Sequence, residues 1–260
     1  MIKNMNNYVL ALACDQKYIN EAKALIGSAI RQGQWKYDIC VIANGLNKDE
    51  VKEFEDVGVF VKLVGDSEHS YHIKYHLFTE YFKKWKKVLY VDCDIMFSND
   101  INFIMDFDSK IFCDGEANKV SDFFEPERNL SVFEEMSKKY DVNKFGFNSG
   151  CMLFKTSLIN EKTFNLLHDL REKYSSINYH TGIEGGGDQP ILNLFFNDWT
   201  QFPQKIVSFW KKCDQTTRIF HFTRWFTPEK NPSHLPFSNH GIIKNIYKSN
   251  LDNFKNLKLK

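Results

Sequence analysis

No long hydrophobic run occurs in this sequence. No apolar stretch approaches the ~20 residues that cross a bilayer, and residues 1–7 are too polar for a secretory signal. A surplus of charge is also lacking, since 34 Lys and Arg residues stand against 33 Asp and Glu residues and leave a net charge of +1. Without a basic surplus, no global field attracts nucleic acid or an anionic membrane. These absences predict a cytoplasmic protein with no transmembrane segment and no nucleic-acid partner.

Closely spaced cysteines are absent as well. The six cysteines are widely separated, and none forms a Cys-x-x-Cys pair. Buried free thiols in a reducing compartment are therefore the better interpretation. With 260 residues and 43% hydrophobic content, the chain is long enough to bury a sizeable core. We expect one α/β domain over residues 1–240, followed by a basic amphipathic tail over residues 241–260.

Apolar runs of strand length alternate with helical patterns over the first 100 residues. The pattern predicts strands at 8–14, 37–43, 59–64 and 88–91, and helices at 20–32, from an N-cap at Asn47, and at 74–84. Such alternation is typical of a parallel sheet with right-handed crossovers. In sheets of this kind ligands bind beyond the carboxyl ends of the strands.

The pattern is less regular beyond residue 100. Short strands are predicted at 111–113, 151–154 and 218–222, and helices at 161–174 and 190–196. Residues 121–144 are polar, and we expect them to form an excursion over the site rather than core. Residues 242–260 have an amphipathic pattern. A helix of this kind docks on its own domain, on a partner or peripherally on a membrane surface, and docking on its own domain is the commonest outcome.

Two carboxylates follow the fourth predicted strand. Asp92 and Asp94 are two residues apart, so in extended geometry both side chains share one face. A pair of carboxylates at this spacing can converge on a hard divalent cation. A divalent ion there would bridge to diphosphate oxygens and neutralise the charge on a departing nucleotide diphosphate.

Three later segments support this chemistry. Asn148 lies in a polar turn that leads into an apolar strand, where its amide can bond a sugar hydroxyl. Asp188 and Gln189 follow a run of three glycines and open a predicted helix. His221 ends a strand, and a histidine added to two carboxylates suits manganese.

These motifs, and their order along the chain, resemble those of glycosyltransferase family eight, which includes glycogenin and bacterial lipopolysaccharide galactosyltransferases. The resemblance extends over residues 8 to 228, most of the chain. Its segments are the opening strand with Ala11 to Asp15 and Tyr18, Lys74, Asp92-Cys93-Asp94, Phe147 to Gly150, Asp188-Gln189 with Leu192-Asn193, and His221.

The resemblance implies a GT-A (Rossmann-like) single domain with a mostly parallel central sheet flanked by helices. It also implies transfer of a hexose from a UDP-sugar, with retention, to a glycan, protein or lipid-linked acceptor. Manganese, with magnesium as the alternative, would be held by Asp92, Asp94 and His221. Donor-binding residues would be Ala13, Cys14, Asp15, Tyr18, Lys74, Asp92, Cys93, Asp94, Asn148 and Ser149. Asp188 and Gln189 are the catalytic candidates, and Asp114 is the candidate for the acceptor.

The chain departs from the family pattern after His221. Family members commonly carry a glycine three residues on and then a Lys-Pro-Trp run, whereas Arg224, Thr227, Pro228 and Glu229 stand at those positions here. Arg224 is a further donor-binding candidate. Arg224 or Lys230 would supply the positive charge that the lysine of the Lys-Pro-Trp run carries in the family. A silent carbohydrate-binding or nucleotide-sugar-binding protein is the first alternative. A haloacid dehalogenase-like phosphatase is the second, although its Asp-x-Asp motif usually opens the first strand of the domain.

Overall fold

The computed structural model describes residues 7–65, 72–178, 187–203, 206–209, 216–222 and 240–259. Its first half is a run of parallel strands joined by crossovers. The elements are β1 (Tyr8–Asp15), α1 (Ile19–Arg31), β2 (Asp38–Asn44), α2 (Lys48–Asp56), β3 (Phe60–Val64) and β4 (Lys87–Val91). Strand β1 lies between β2 and β4 and is parallel to both. The four predicted strands and the first two predicted helices are therefore confirmed, with boundaries shifted by one or two residues.

Helix α2 begins at the predicted capping box. The Asn47 side chain accepts hydrogen bonds from the backbone of Asp49 and Glu50, and the Glu50 carboxylate accepts one from the Asn47 backbone at 2.8 Å. These reciprocal bonds satisfy amide donors that a helix start leaves without intrahelical partners.

The third crossover differs from the expected helix over residues 74–84. It consists of two 3-10 helices, Ile73–Phe78 and Glu80–Lys84, separated by Thr79 in an extended conformation. The Thr79 hydroxyl donates to the His76 carbonyl oxygen at 2.8 Å, so the side chain competes with the helical hydrogen-bond ladder. Burial of Tyr75, Leu77 and Phe78 on several sides also favours the tighter winding.

In the second half of the chain, one strand of the large sheet runs antiparallel to the others. β7 (Phe145–Lys155) is antiparallel to both of its neighbours, β4 and β6 (Ile111–Lys119), and β8 (Thr200–Gln201) is parallel to β6. The seven-stranded order is β3-β2-β1-β4-β7-β6-β8. A smaller sheet contains β5 (Ile95–Phe97), β10 (Ile219–His221) and β9 (Val207–Phe209), in the order β5-β10-β9. The predicted α/β class with a mostly parallel sheet is confirmed.

Helices cover both faces of the large sheet. One core cluster joins Ala11 and Tyr90 to α4 (Thr163–Tyr174) and α5 (Asp188–Phe195). The opposite cluster joins Leu10 and Leu89 to α1, α2 and the last helix, α6 (His240–Lys255). The alternation of neighbouring strand residues between the two clusters is the expected period of a buried strand.

Residues 121–144 contribute more to the core than their polarity predicted. The segment contains α3 (Leu130–Lys139), and its Phe123, Met136 and Val142 side chains are buried in the cluster around Tyr90. The expectation that the segment forms an excursion over the site rather than core was therefore wrong in excluding it from the core. A few apolar positions anchor the segment, although most of its residues are polar.

Helix α6 packs against α1 at a glycine. A β-carbon on Gly27 would lie 2.0 Å from the Asn250 carbonyl oxygen, so the two backbones approach too closely for any side chain there. Further along, Phe254 meets Phe54 edge-to-face, and the Leu259 amide donates to the Val57 carbonyl oxygen at 3.0 Å. In the part of the chain that the structure describes, no helix has the length and apolar content that a bilayer crossing requires.

Candidate functional site

The acidic pair occupies the turn between the two sheets. Strand β4 ends at Val91, and β5 begins directly after Asp94. The Asp92 amide donates to the Gly150 carbonyl oxygen at 2.8 Å, which fixes the start of the turn to β7. The strand end therefore holds both carboxylates on rigid backbone, as a ligand pair requires.

His221 reaches the acidic pair through the smaller sheet. In the antiparallel ladder of β10 and β5, His221 is opposite Ile95, the residue after Asp94. Its Nε2 atom is 3.3 Å from Asp94 Oδ1. One ligand atom from each of Asp92, Asp94 and His221 lies within 4.8 Å of the other two. Two carboxylates and one imidazole in this arrangement could hold a divalent metal ion.

A glycine leaves room for this cluster. A β-carbon on Gly150 would lie 2.5 Å from His221 Cε1 and 2.9 Å from Asp92 Oδ2. Any larger residue would therefore push apart two of the three ligand side chains. Sequence reasoning noted the Asn-Ser-Gly turn but did not identify this role of Gly150.

Burial and the neighbouring charges shift the protonation of the cluster. Burial raises the pKa of Asp92, and Asp94 and Asp188 add to that effect against the opposing field of Lys74. For His221 burial favours the neutral ring, but the field and hydrogen bond of Asp94, together with the field of Asp92, outweigh it and the pKa of His221 is raised. A divalent cation would relieve the repulsion between the two carboxylates.

Lys74 connects the acidic pair to the start of α5. Its Nζ atom is 2.7 Å from Asp188 Oδ2 and 3.1 Å from Asp92 Oδ1, and it donates to Ser149 Oγ at 3.1 Å. The lysine is buried, yet its pKa is raised, because the two carboxylates outweigh the desolvation that favours the neutral amine. Lys74 is therefore a fixed positive charge inside the site rather than a solvated surface lysine.

The start of α5 presents Asp188 and Gln189 to β7. Ser149 Oγ donates to Asp188 Oδ2 at 2.7 Å, and the Ser149 amide donates to Gln189 Oε1 at 3.2 Å. Asn193, one turn later in the helix, binds both the amide and the carbonyl oxygen of Phe147. Four polar contacts thus fix the helix start against the strand that also supports the metal cluster.

Asn148 is held at both ends of its amide group. Its Oδ1 atom accepts from the Gly150 amide at 2.9 Å, and its Nδ2 atom donates to Glu116 Oε1 at 3.0 Å. Glu116 was not among the predicted site residues, because it lies in a mixed polar stretch of β6 with no motif around it. Asp114, two residues earlier, is opposite Asn148 in the β6–β7 register, next to an irregularity of the ladder.

The remaining predicted donor-binding residues lie at the end of β1. A shallow cleft of about 440 Å³ is lined by Asp15, Gln16, Lys17, Asn44 and Gly45. The Asp15 carboxylate caps the following turn by accepting from the amides of Lys17 and Tyr18. Asn44 and Gly45, at the end of β2, were not predicted, although the edge rule for parallel strands pointed to them.

The carboxyl end of β1 and the acidic turn are in direct contact. The Cys93 thiol, between the two aspartates, donates to the Ala13 carbonyl oxygen at 3.1 Å. Burial raises the pKa of Cys14, so its thiol is not a nucleophile at neutral pH. The candidates over residues 13–18 therefore adjoin those around Asp92, whereas Arg224 and Lys230 lie outside the described residues.

Comparisons with known proteins agree with this geometry. The family model described as Glycosyl transferase family 8 matches residues 9–216. No curated protein matches the sequence. Among solved structures, the galactosyltransferase LgtC, in complex with donor and acceptor sugar analogs, is 11% identical with a TM-score of 0.65. That match covers 93% of this chain and 95% of LgtC.

Two further glycosyltransferase structures share the fold. GlyE from Streptococcus pneumoniae TIGR4 is 18% identical with a TM-score of 0.64, and the match covers 97% of this chain and 63% of GlyE. The bifunctional WbbM is 16% identical with a TM-score of 0.63, and the match covers 99% of this chain and 51% of WbbM. At these identities the likeness shows the fold, while the family match carries the assignment. The chain therefore belongs to glycosyltransferase family 8 and is a nucleotide-sugar-dependent glycosyltransferase with a GT-A fold.

Proposed function

We propose that the protein is a metal-dependent enzyme that transfers a hexose from a UDP-sugar to a hydroxyl acceptor with retention of anomeric configuration. The observation that carries the proposal is the Asp92, Asp94 and His221 cluster beside the cleft at the ends of β1 and β2. A manganese ion bound there would neutralise charge on the diphosphate leaving group. Magnesium is the alternative ion, because both carboxylates are hard ligands.

The nucleoside half of the donor would lie in the cleft lined by Asp15 and Asn44. Cys93 bonds Ala13, two residues before Asp15 in the wall of the cleft, so a diphosphate extending from the cleft along the end of β1 would approach Asp92 and Asp94. The Lys74 ammonium would add positive charge on the same side. The bound cation and the Lys74 ammonium would thus place positive charge along the path of the anionic donor.

The donor sugar would lie between β7 and the start of α5. Asp188 and Gln189 are fixed there by Ser149, and Asn148 is fixed by Glu116 and Gly150. Groups held in this way can bind sugar hydroxyls without losing much conformational entropy. We assign Asp188 and Gln189 the positions nearest the anomeric carbon, and Asp114 the acceptor side.

The test is the release of UDP from a panel of UDP-sugars, measured with manganese and with a chelator. We expect turnover of one donor that the chelator abolishes. Asp92→Asn and Asp94→Asn should each lower this turnover by more than about 100-fold, because removing a ligand costs more than disturbing its support. The matched control is Asp56→Asn, which removes a carboxylate from an exposed pair with Lys52 and should leave turnover unchanged.

The outcomes separate the candidate functions. Turnover that survives the chelator and both ligand variants would contradict the metal assignment. Binding of UDP in calorimetry without turnover of any donor, with acceptor sugars present, would instead identify a silent nucleotide-sugar-binding protein. Release of phosphate from simple phosphomonoesters would indicate the phosphatase chemistry.

A further inference from the structure

A buried tyrosine lies directly behind the first aspartate of the acidic pair. Tyr90 and Asp92 are two residues apart at the end of β4, so their side chains share a face. Tyr90 is 1% exposed, and its hydroxyl donates to Asp92 Oδ1 at 2.5 Å. This distance is typical of a hydrogen bond from a hydroxyl to a charged carboxylate, which is stronger than a bond between neutral groups.

The two oxygens of Asp92 have different surroundings. Oδ1 receives the Tyr90 hydroxyl, whereas Lys74 Nζ contacts both oxygens, at 3.1 Å from Oδ1 and 3.5 Å from Oδ2. Oδ2 is directed to the Gly150 side, where a β-carbon at Gly150 would lie 2.9 Å from Oδ2 and 2.5 Å from His221 Cε1. The carboxylate is therefore rotated so that its second oxygen lies on the side of the histidine.

Lys74 and Tyr90, the two groups that contact the Asp92 carboxylate, differ in their chemistry. An ammonium beside a divalent cation repels it, so Lys74 neutralises the carboxylate at some cost to cation binding. A hydroxyl adds no net charge and still fixes the orientation of the carboxylate.

We infer that Tyr90 is a positioning residue that holds Asp92 with Oδ2 presented as the metal ligand beside Asp94 and His221. The inference rests on the proposed metal dependence of the enzyme. Lys74 contacts both oxygens, so without the hydroxyl the Asp92 carboxylate would be free to rotate beside the ammonium, and one of the three ligands would have to be reoriented on binding. Groups that orient metal ligands typically change metal affinity about 10-fold to 100-fold when they are removed.

The experiment is a manganese titration of the full chain, by calorimetry and by electron paramagnetic resonance of the free ion. Tyr90→Phe removes only the hydroxyl and should weaken manganese binding about 10-fold to 100-fold. Tyr174→Phe, at an equally buried tyrosine of α4, is the matched control and should bind manganese as the wild type does. Donor turnover by Tyr90→Phe should recover as manganese is raised, which a general loss of packing would not produce.

A second measurement guards against a loss of stability in the variant. The manganese-induced rise in unfolding temperature is taken for each protein relative to its own chelated form, so a change in intrinsic stability cancels. We expect a smaller rise for Tyr90→Phe than for wild type. Equal rises and equal affinities would overturn the role of Tyr90 and leave the proposed function intact. Absence of manganese binding by the wild type would instead overturn both.

Discussion

At the scale of single residues, Lys74 is the internal counter-ion of the site. It is buried between Asp92 and Asp188 and also contacts Ser149, so one ammonium compensates two carboxylates on different elements. A buried charge is stable only with close partners, and removing one partner leaves the others uncompensated. The Lys74 ammonium, which would help to bind an anionic donor, thus also stabilises the folded protein when no donor is bound.

Replacing Lys74 should therefore destabilise the protein strongly. Lys74→Met leaves Asp92 and Asp188 without their shared cation, and the free energy of unfolding in chelator should fall by about 3 kcal/mol. Urea denaturation measures the change. Lys52→Met is the control, because both side chains of the Lys52–Asp56 pair at 2.9 Å are exposed to solvent and such pairs contribute little. Equal losses in the two variants would show that burial adds nothing to the Lys74 network.

At the scale of elements, the packing of α6 on α1 makes the end of the described chain part of the domain. The contact depends on Gly27, where the Asn250 carbonyl oxygen lies too close for a side chain. Phe254 belongs to the same core cluster as the strand residues Leu10 and Leu89. The apolar stripe of the tail is therefore used by its own domain.

A test of this packing is Gly27→Ala. Alanine has a higher helix propensity by about 1 kcal/mol, yet its β-carbon would overlap Asn250 and force the helices apart. We expect a net loss of about 1–3 kcal/mol in the free energy of unfolding, the usual cost of overpacking. Asn20→Ala, at an exposed position of the same helix, is the control and should be neutral or slightly stabilising. A stabilised Gly27→Ala protein would contradict the close approach of α6.

The sequence was most informative where local pattern and tertiary structure agree. Continuous apolar runs identified β1 to β4, and the Asn47 capping box marked the start of α2, because both signals are local. The segment after Ile73 was mistaken for one α-helix, because its apolar pattern outweighed the local signal of Thr79, whose hydroxyl bonds the His76 carbonyl oxygen, and the burial of its neighbours is set by the rest of the fold. Glu116 and Tyr90 were missed because their roles depend on a partner in space and not on a motif.

At the scale of the whole molecule, the site joins two sheets. Asp92 follows the large sheet, Asp94 precedes β5, and His221 ends β10 in the small sheet. The antiparallel course of β7 brings Asn148, Ser149 and Gly150 to the same edge as the ends of β1 and β4. Alternating strand and helix patterns predicted the parallel half, but nothing local in residues 145–155 specified the reversed direction of β7.

Manganese affinity should depend on pH through His221. Its pKa is raised above the usual value of about 6.5, because Asp94 outweighs the burial that lowers it. A proton on the ring competes with the metal, so the affinity should be full at high pH and fall about tenfold per pH unit below that pKa. Titrations between about pH 6 and about pH 8.5 measure this. His221→Gln should bind more weakly with a flatter profile, and an equally flat wild-type profile would refute the histidine as a ligand.

The metal-free protein should respond to pH in the opposite sense. A histidine with a raised folded-state pKa contributes stability that is fully present below its unfolded value of about 6.5 and is lost as pH rises through the folded-state pKa. In chelator, wild type should therefore lose stability relative to His221→Gln as the pH increases across that window. Thermal unfolding of both proteins at each pH provides the comparison.

The position of His221 in the chain also sets the order in which the site can assemble during synthesis. Synthesis proceeds from the amino-terminal side, whereas a single domain generally folds as a unit. Lys74, Asp92 and Asp188 are therefore synthesised before β10, but the site is complete only when β10 pairs with β5 and brings His221 to Asp94. A chain that ended before β10 would lack the third ligand, the partner strand of β5 and the packing of α6 on α1 together.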